Sequence, residues 1–236
     1  MEETPRYAHL VALLFLGSAF VIFICMLVAT VAAIRKSGRI AKFAAAGAAL
    51  TATGYVALLL ALALASGNKT LPPGNWKYFC EADCHIAYAI ENVTDASTLG
   101  PEAQPFTAQG RFVIVRLKTW FDKHSIAPFR GNSSLTPNPR VVKLVDDRGR
   151  YYLPRPQIAA ELRVSSAPLG QALRPGEWYS TTLVFDLPNE ARNPRLLIAD
   201  TDPVSHLLVD HENSPLHGKI YLSLRPSAAA KASTSH

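Results

Sequence analysis

Two stretches of this 236-residue chain gather side chains capable of chemistry. "FCEADCHIAY" (79–88) places Cys80, Glu81, Asp83, Cys84 and His85 within six residues. "SHLLVDHENSPLHGK" (205–219) holds His206, His211 and His217 beside Asp210 and Glu212. Four chemistries suit the first stretch. A Cys80–Cys84 disulfide would close a very small loop, and it requires a turn, because residues four apart in a regular strand are separated by roughly 13 Å. Copper prefers soft thiolate and imidazole ligands, so Cys80, Cys84 and His85 would form its core. His211 and His217 would complete the set if the first and last strands of the domain are neighbours, with Glu81 and Asp83 only supporting the ligands. Zinc would take the two cysteines and one or two histidines in a tetrahedron. Covalent haem needs C-x-x-C-H, one residue shorter than the C-x3-C-H here, and a second axial ligand such as His211. The residues alone leave these alternatives open.

Elsewhere the chain offers little for catalysis. Ser133 and Ser134 lack a nucleophile context, and neither G-x-S-x-G nor a glycine-rich phosphate loop occurs. Asp146 and Asp147 form a carboxylate pair, but in "DDRGR", a turn that favours Asp for conformational reasons. The expectation is a non-catalytic protein. The net charge of +6 does not point to nucleic acid. Residues 1–74 hold six Lys/Arg against two Asp/Glu, and residues 75–236 hold eighteen against sixteen. The basic excess therefore sits mainly in the apolar N-terminal part, with no basic stripe interleaved with aromatics.

Positioning these residues falls to two kinds of element. Residues 10–34 and 43–66 carry no charged side chain, and either run exceeds the roughly 20 residues a helix needs to cross a bilayer. The Gly and Ala of the second run suit close packing on the first. This predicts a transmembrane hairpin over 1–66 (Cys25 as an apolar filler within it), in preference to a cleaved signal peptide. Arg35, Lys36, Arg39 and Lys42 place the 35–42 loop in the cytoplasm and both chain ends outside. Residues 67–75, "GNKTLPPGN", read as a linker, 76–226 as an extracytoplasmic domain, and 227–236 as a disordered tail.

Within that domain the apolar residues alternate. Ile86, Tyr88 and Ile90 share a face, as do Val113, Val115, Leu117 and Phe121, Leu183, Phe185 and Leu187, and Ile220, Leu222 and Leu224. Such alternation marks half-buried strands. With turn signals at 146–150 and 174–178 it predicts an all-β antiparallel sandwich.

The order "RFVIVRLKTWFD", "VVKLVDDRGRYYL", "LRPGEWYSTTLVFDLP", "PRLLIAD" over residues 111–199 resembles the immunoglobulin-like domain called DUF4352, found on membrane-anchored bacterial surface proteins. That resemblance implies an immunoglobulin-like fold and a periplasmic setting at a bacterial inner membrane. It supplies no catalytic residues, and both chemistry-bearing stretches lie outside it. The role it implies is an accessory or scaffold module with membrane-protein partner subunits. The plan of a two-helix hairpin followed by an exported β domain with C-x3-C also resembles cytochrome oxidase subunit II, which implies copper. In that family, however, the cysteine loop lies near the end of the domain and is followed by a His and a Met. Here it opens the domain, and the only methionines are Met1 and Met26.

Overall fold

The computed structural model describes residues 8–81, 83–162 and 164–225. They form two compact units, one of residues 69–201 and 220–225 and one of residues 8–68 and 202–219. The expected tail at 227–236 lies outside the described residues.

In the helical unit, α1 (Ala8–Ile34) and α2 (Gly38–Ala65) follow the two uncharged runs. Each is about 40 Å long, against about 30 Å of hydrocarbon in a bilayer. Mean hydropathies of 2.9 and 2.0 make both long and apolar enough to cross a membrane. α2 begins at Gly38, earlier than the apolar run at 43, so Arg39 and Lys42 lie in its first turns and the basic connection tightens around Arg35–Ser37. Small residues let the helices approach: a Cβ on Gly47 would lie 3.5 Å from Cys25 Sγ, and Ala32, Ala48 and Ala63 are buried. The hydroxyls of Thr30 and Thr51 donate to the carbonyls of Met26 and Gly47 at 2.9 Å, which satisfies them without water.

The second unit is two β-sheets around one core. A five-stranded sheet has the order β1 (Lys69–Leu71), β9 (Ile220–Ser223), β8 (Arg195–Asp200), β5 (Arg140–Val145), β6 (Tyr151–Tyr152). A four-stranded sheet has the order β2 (Lys77–Glu81), β3 (Cys84–Leu99), β4 (Phe106–Asp122), β7 (Trp178–Leu187). Every pairing is antiparallel except β1 with β9. Ile86, Tyr88, Val115, Leu117, Phe121 and Phe185 from one sheet meet Val142, Leu144, Leu196, Ile198 and Leu222 from the other in a single cluster. These are largely the positions that the alternation assigns to common faces.

The two predicted turns are present. The Asp146 carboxylate accepts from the N–H groups of Arg148 and Arg150 at 3.0 and 2.9 Å, and Gly176 takes φ +87° between Arg174 and Glu177. At Gly110 a side chain has no room, since a Cβ would lie 2.5 Å from Asn189 N. Residues 67–75, expected as a linker, contain β1, which pairs along β9. A short helix, α3 (Pro156–Glu161), carries no strong signal in the sequence. The connection from β8 to β9, residues 202–219, belongs to the helical unit.

Candidate functional site

The corner between β2 and β3 is set by register. Cys80 pairs with His85 and Glu81 with Cys84 across a two-residue connection. Successive side chains on a strand point to opposite faces. Phe79, Glu81, Cys84 and Ile86 therefore turn into the unit, at 7% exposure or less, while Cys80 turns out. The turn that a Cys80–Cys84 disulfide requires is present, but it places the two thiols on opposite faces of the ribbon. Both are free in the structure.

The register brings together a buried charged cluster instead. Arg140, with a fully buried side chain, donates from Nη2 to Glu81 Oε1 at 2.5 Å and pairs through Nη1 with Asp200 at 3.0 Å. Its guanidinium lies 4.4 Å from the centre of the Phe79 ring, whose edge meets Tyr88. Lys77, also buried, donates to the carbonyls of Ile198 and Ile220 at 2.7 and 2.9 Å. On the neighbouring connection, Arg130 holds the Asp83 carboxylate at 3.0 Å and lies over Phe121. Buried charges persist only when paired; here each has an ion-pair or hydrogen-bond partner, although Arg130 Nε, Arg140 Nε and Arg140 Nη1 make no hydrogen bond among the described residues.

The electrostatics follow from these partners. Burial raises the Glu81 carboxyl above its ordinary range, and Arg140 and the Asn138 N–H oppose that rise. Burial would raise Asp83 too, but hydrogen bonds from Arg130 and Cys84 hold it below the usual value. Burial, then the hydrogen bond to Asp83, push the Cys84 thiol to about 12. Partial burial and the Glu81 charge raise Cys80, against Arg140. Burial lowers His85, against the charge of Asp122. Unaided, both cysteines are thiols at neutral pH.

The five proposed metal ligands are divided between the two units. Cys80, Cys84 and His85 belong to the β unit, and His211 and His217 to the helical unit. Among the described residues, no group of three or more His, Cys, Asp or Glu side chains could hold a metal ion. Cys80 and His85 do share the outward face as cross-strand neighbours, and His85 Nδ1 has no hydrogen-bond partner.

The histidines of 205–219 organise their own loop. His206 Nδ1 bonds the Asn213 carbonyl at 2.6 Å, and the Asn213 N–H donates to His211 Nδ1 at 3.1 Å. Asn213 Nδ2 donates to Ser205 Oγ at 2.9 Å. His217 bonds the Gly218 carbonyl through Nδ1 at 2.7 Å and faces Asp210 through Nε2 at 3.3 Å.

Lys77, Arg140 and Asp200 carry no motif, yet one signal marks them. Lys77 and Glu81 are in phase with Phe79, Arg140 with Val142 and Leu144, and Asp200 with Leu196 and Ile198. A charged residue at a core position of an alternating strand must find a partner inside.

No family model matches this chain, and no curated protein is similar to it. Three solved structures show a low-level likeness. A conserved hypothetical protein from Bacillus anthracis is 16% identical with a TM-score of 0.38, over 52% of this chain and 85% of that one. The secreted protein MPT63 from Mycobacterium tuberculosis is 10% identical with a TM-score of 0.40, over 66% and 97%. The yjhA protein from Bacillus subtilis is 14% identical with a TM-score of 0.39, over 66% and 99%.

Proposed function

We propose that the chain is an integral protein of the bacterial inner membrane, its two helices anchoring an immunoglobulin-like β-sandwich on the periplasmic face. There the module acts as a non-catalytic accessory or scaffold subunit of a membrane complex. The observation that carries this reading is the outward surface of the hairpin. Leu13, Phe20, Phe23, Phe43 and Leu50 are each more than 60% exposed, a density of exposed large apolar side chains that soluble proteins avoid. Arg35, Lys36, Arg39 and Lys42 at the hairpin's turn support a cytoplasmic turn and an outward β unit. The paired state of Glu81, Asp83, Arg130, Arg140 and Asp200 supports a structural role for the charges at the β2–β3 corner.

The test uses the exposed thiol of Cys80. In spheroplasts, a membrane-impermeant maleimide should label the wild type and not Cys80→Ser, and alkaline carbonate should leave the protein in the membrane pellet. Labelling only after lysis would reverse the sidedness, and release by carbonate would remove the anchor. Photo-crosslinking from the β unit in native membranes should then trap discrete membrane-protein adducts. Their absence would defeat the accessory role.

A second reading, copper carried at the β2–β3 corner, is favoured by one observation only, the shared outward face of Cys80 and His85 with Nδ1 unpartnered. It predicts copper(I) binding that is lost in both Cys80→Ser and His85→Ala. Equal copper content in wild type and both variants would exclude those residues as ligands.

A further inference from the structure

We infer that residues 202–219 form a lipid-contacting collar at the membrane boundary, with Val204, Leu207 and Leu216 facing the bilayer. The inference rests on the membrane-spanning reading of α1 and α2.

The first observation is a partly inverted burial pattern. Ser205, Asn213 and Ser214 are buried, at 3%, 6% and 2% exposure, while Val204, Leu207 and Leu216 are exposed at 46%, 51% and 71%. A loop facing water does the reverse, as Val209 at 4% exposure and the exposed Asp202, His206 and Asp210 of the same segment still do. The buried polar groups also satisfy one another and the loop backbone: Asn213 with Ser205, Ser214 with the Leu208 carbonyl, and His206 with the Asn213 carbonyl. Irregular backbone near hydrocarbon needs such internal satisfaction. Val204 and Leu207 are three apart in a 3-10 helix over Pro203–Leu207, a spacing that puts both on one side.

The second observation is where the segment is tied. The Tyr55 hydroxyl donates to the Leu207 carbonyl at 2.6 Å, Ser66 Oγ accepts from the Gly218 N–H at 2.7 Å, and Asn68 Oδ1 accepts from the Lys219 N–H at 2.8 Å. Gly218 packs so closely on Gly67 that a Cβ would collide with its carbonyl. Tyr55 lies ten residues before Ala65, the last residue of α2, or about 15 Å along the axis. The segment therefore runs down the side of the hairpin rather than across its end. With α2 about 12 Å longer than the hydrocarbon, the Tyr55 level falls within about 10 Å of its boundary. That matches the depth at which interfacial apolar faces bury. Leu216 is held at φ +65°, a conformation that leucine rarely adopts, with its side chain outward. Contact with lipid would offset that strain.

The test reconstitutes full-length Leu207→Trp, Leu216→Trp and, as a mid-span control, Leu50→Trp into bilayers of dibrominated phosphatidylcholine. The wild-type signal from Trp76, Trp120 and Trp178 is subtracted. Leu50→Trp should be quenched strongly, and Leu207→Trp and Leu216→Trp to about half that extent, as suits the boundary. Quenching at 50 without quenching at 207 and 216 would overturn the collar while leaving the anchor intact. No quenching at 50 would overturn the anchor, and the collar with it. Unquenched 207 and 216 whose emission shifts to the blue only in native membranes would assign the surface to a protein partner and overturn the lipid assignment.

Discussion

The β2–β3 corner and the 202–219 segment both bury polar groups, by opposite means. The corner buries full charges, Glu81 and Asp200 on either side of Arg140, with the Phe79 ring against the guanidinium. The segment buries mainly neutral groups, Ser205, Asn213 and Ser214, which bond backbone carbonyls and each other, beside one buried carboxylate oxygen of Glu212. A charge pair in low dielectric is costly to assemble and costlier to break on one side, whereas a neutral hydrogen bond contributes about 1 kcal/mol net. The corner should therefore fail abruptly under single substitutions and the segment gradually.

Arg140→Met gives the largest expected effect. It strands Glu81 and leaves Asp200 without the guanidinium, so a loss of about 3–5 kcal/mol is expected. Denaturant unfolding of the full chain in detergent, followed by near-UV circular dichroism, measures it. The triple variant Glu81→Gln, Arg140→Met, Asp200→Asn should recover part of the loss, because no uncompensated charge remains. If the triple were as unstable as the single, packing rather than charge would hold the corner.

Acidity probes the same contrast. Hydrogen bonds outweigh burial to hold the Asp146 carboxyl below its ordinary value, through Arg150, Tyr152 and the N–H of Arg148. A depressed folded value contributes stability that is present above the unfolded pKa, near 3.9, and lost as pH falls through the folded value. Glu81 has the opposite sign, since burial raises it. Its contribution is present below about 4.3 and lost as pH rises through the raised folded value. Asp146→Asn should flatten the decline below about pH 4, and Glu81→Gln should flatten the fall from about pH 4 towards neutrality. Thermal midpoints measured from pH 2.5 to 7 check both slopes, and unchanged profiles would contradict the assigned signs.

The segment should respond more mildly. Asn213→Ala removes the bond to Ser205 and leaves a small void, an expected loss of about 1–3 kcal/mol. Tyr55→Phe removes one hydrogen bond, about 1 kcal/mol. Hydrogen exchange across residues 202–219 should rise in both variants and stay unchanged in the β strands. Exchange that also rose in β3 and β4 would mean that the segment and the β unit unfold together.

Much of the fold is legible in the sequence because it is written in local patterns. Uncharged runs mark α1 and α2, phase marks the inner faces of β3, β4, β7 and β9, and Asp146 and Gly176 mark their turns. The partners at the corner are not local. Glu81 and Arg140 are 59 residues apart, and alternation shows that each points inward without showing that they meet. The histidines of 205–219 are ambiguous in the sequence for a related reason. Imidazole bonds a carbonyl as readily as a metal, and composition does not distinguish a loop that caps itself from one that waits for a ligand. Their assignment to the helical unit depends on Tyr55, Ser66 and Asn68, which a reading by sequence neighbourhood does not connect to them.

The smallest expected effect bears on the cysteines that first drew attention. Cys80 is at the surface and Cys84 is buried, its sulfur 3.6 Å from the Glu81 carbonyl oxygen. With the thiols on opposite faces, Cys80→Ser should change stability by less than about 0.5 kcal/mol, as surface substitutions do. Cys84→Ser puts a more strongly polar hydroxyl in place of a buried thiol and should cost more, about 1–2 kcal/mol. A disulfide across the corner would instead make the two substitutions equally costly and each equivalent to reduction, since either destroys the same bond. Unfolding midpoints of wild type with and without reductant, beside the two variants, separate the cases. Unequal variants with no effect of reductant fit thiols on two faces, and equal losses matched by reductant would require the register at Cys80–His85 to be broken in the folded protein.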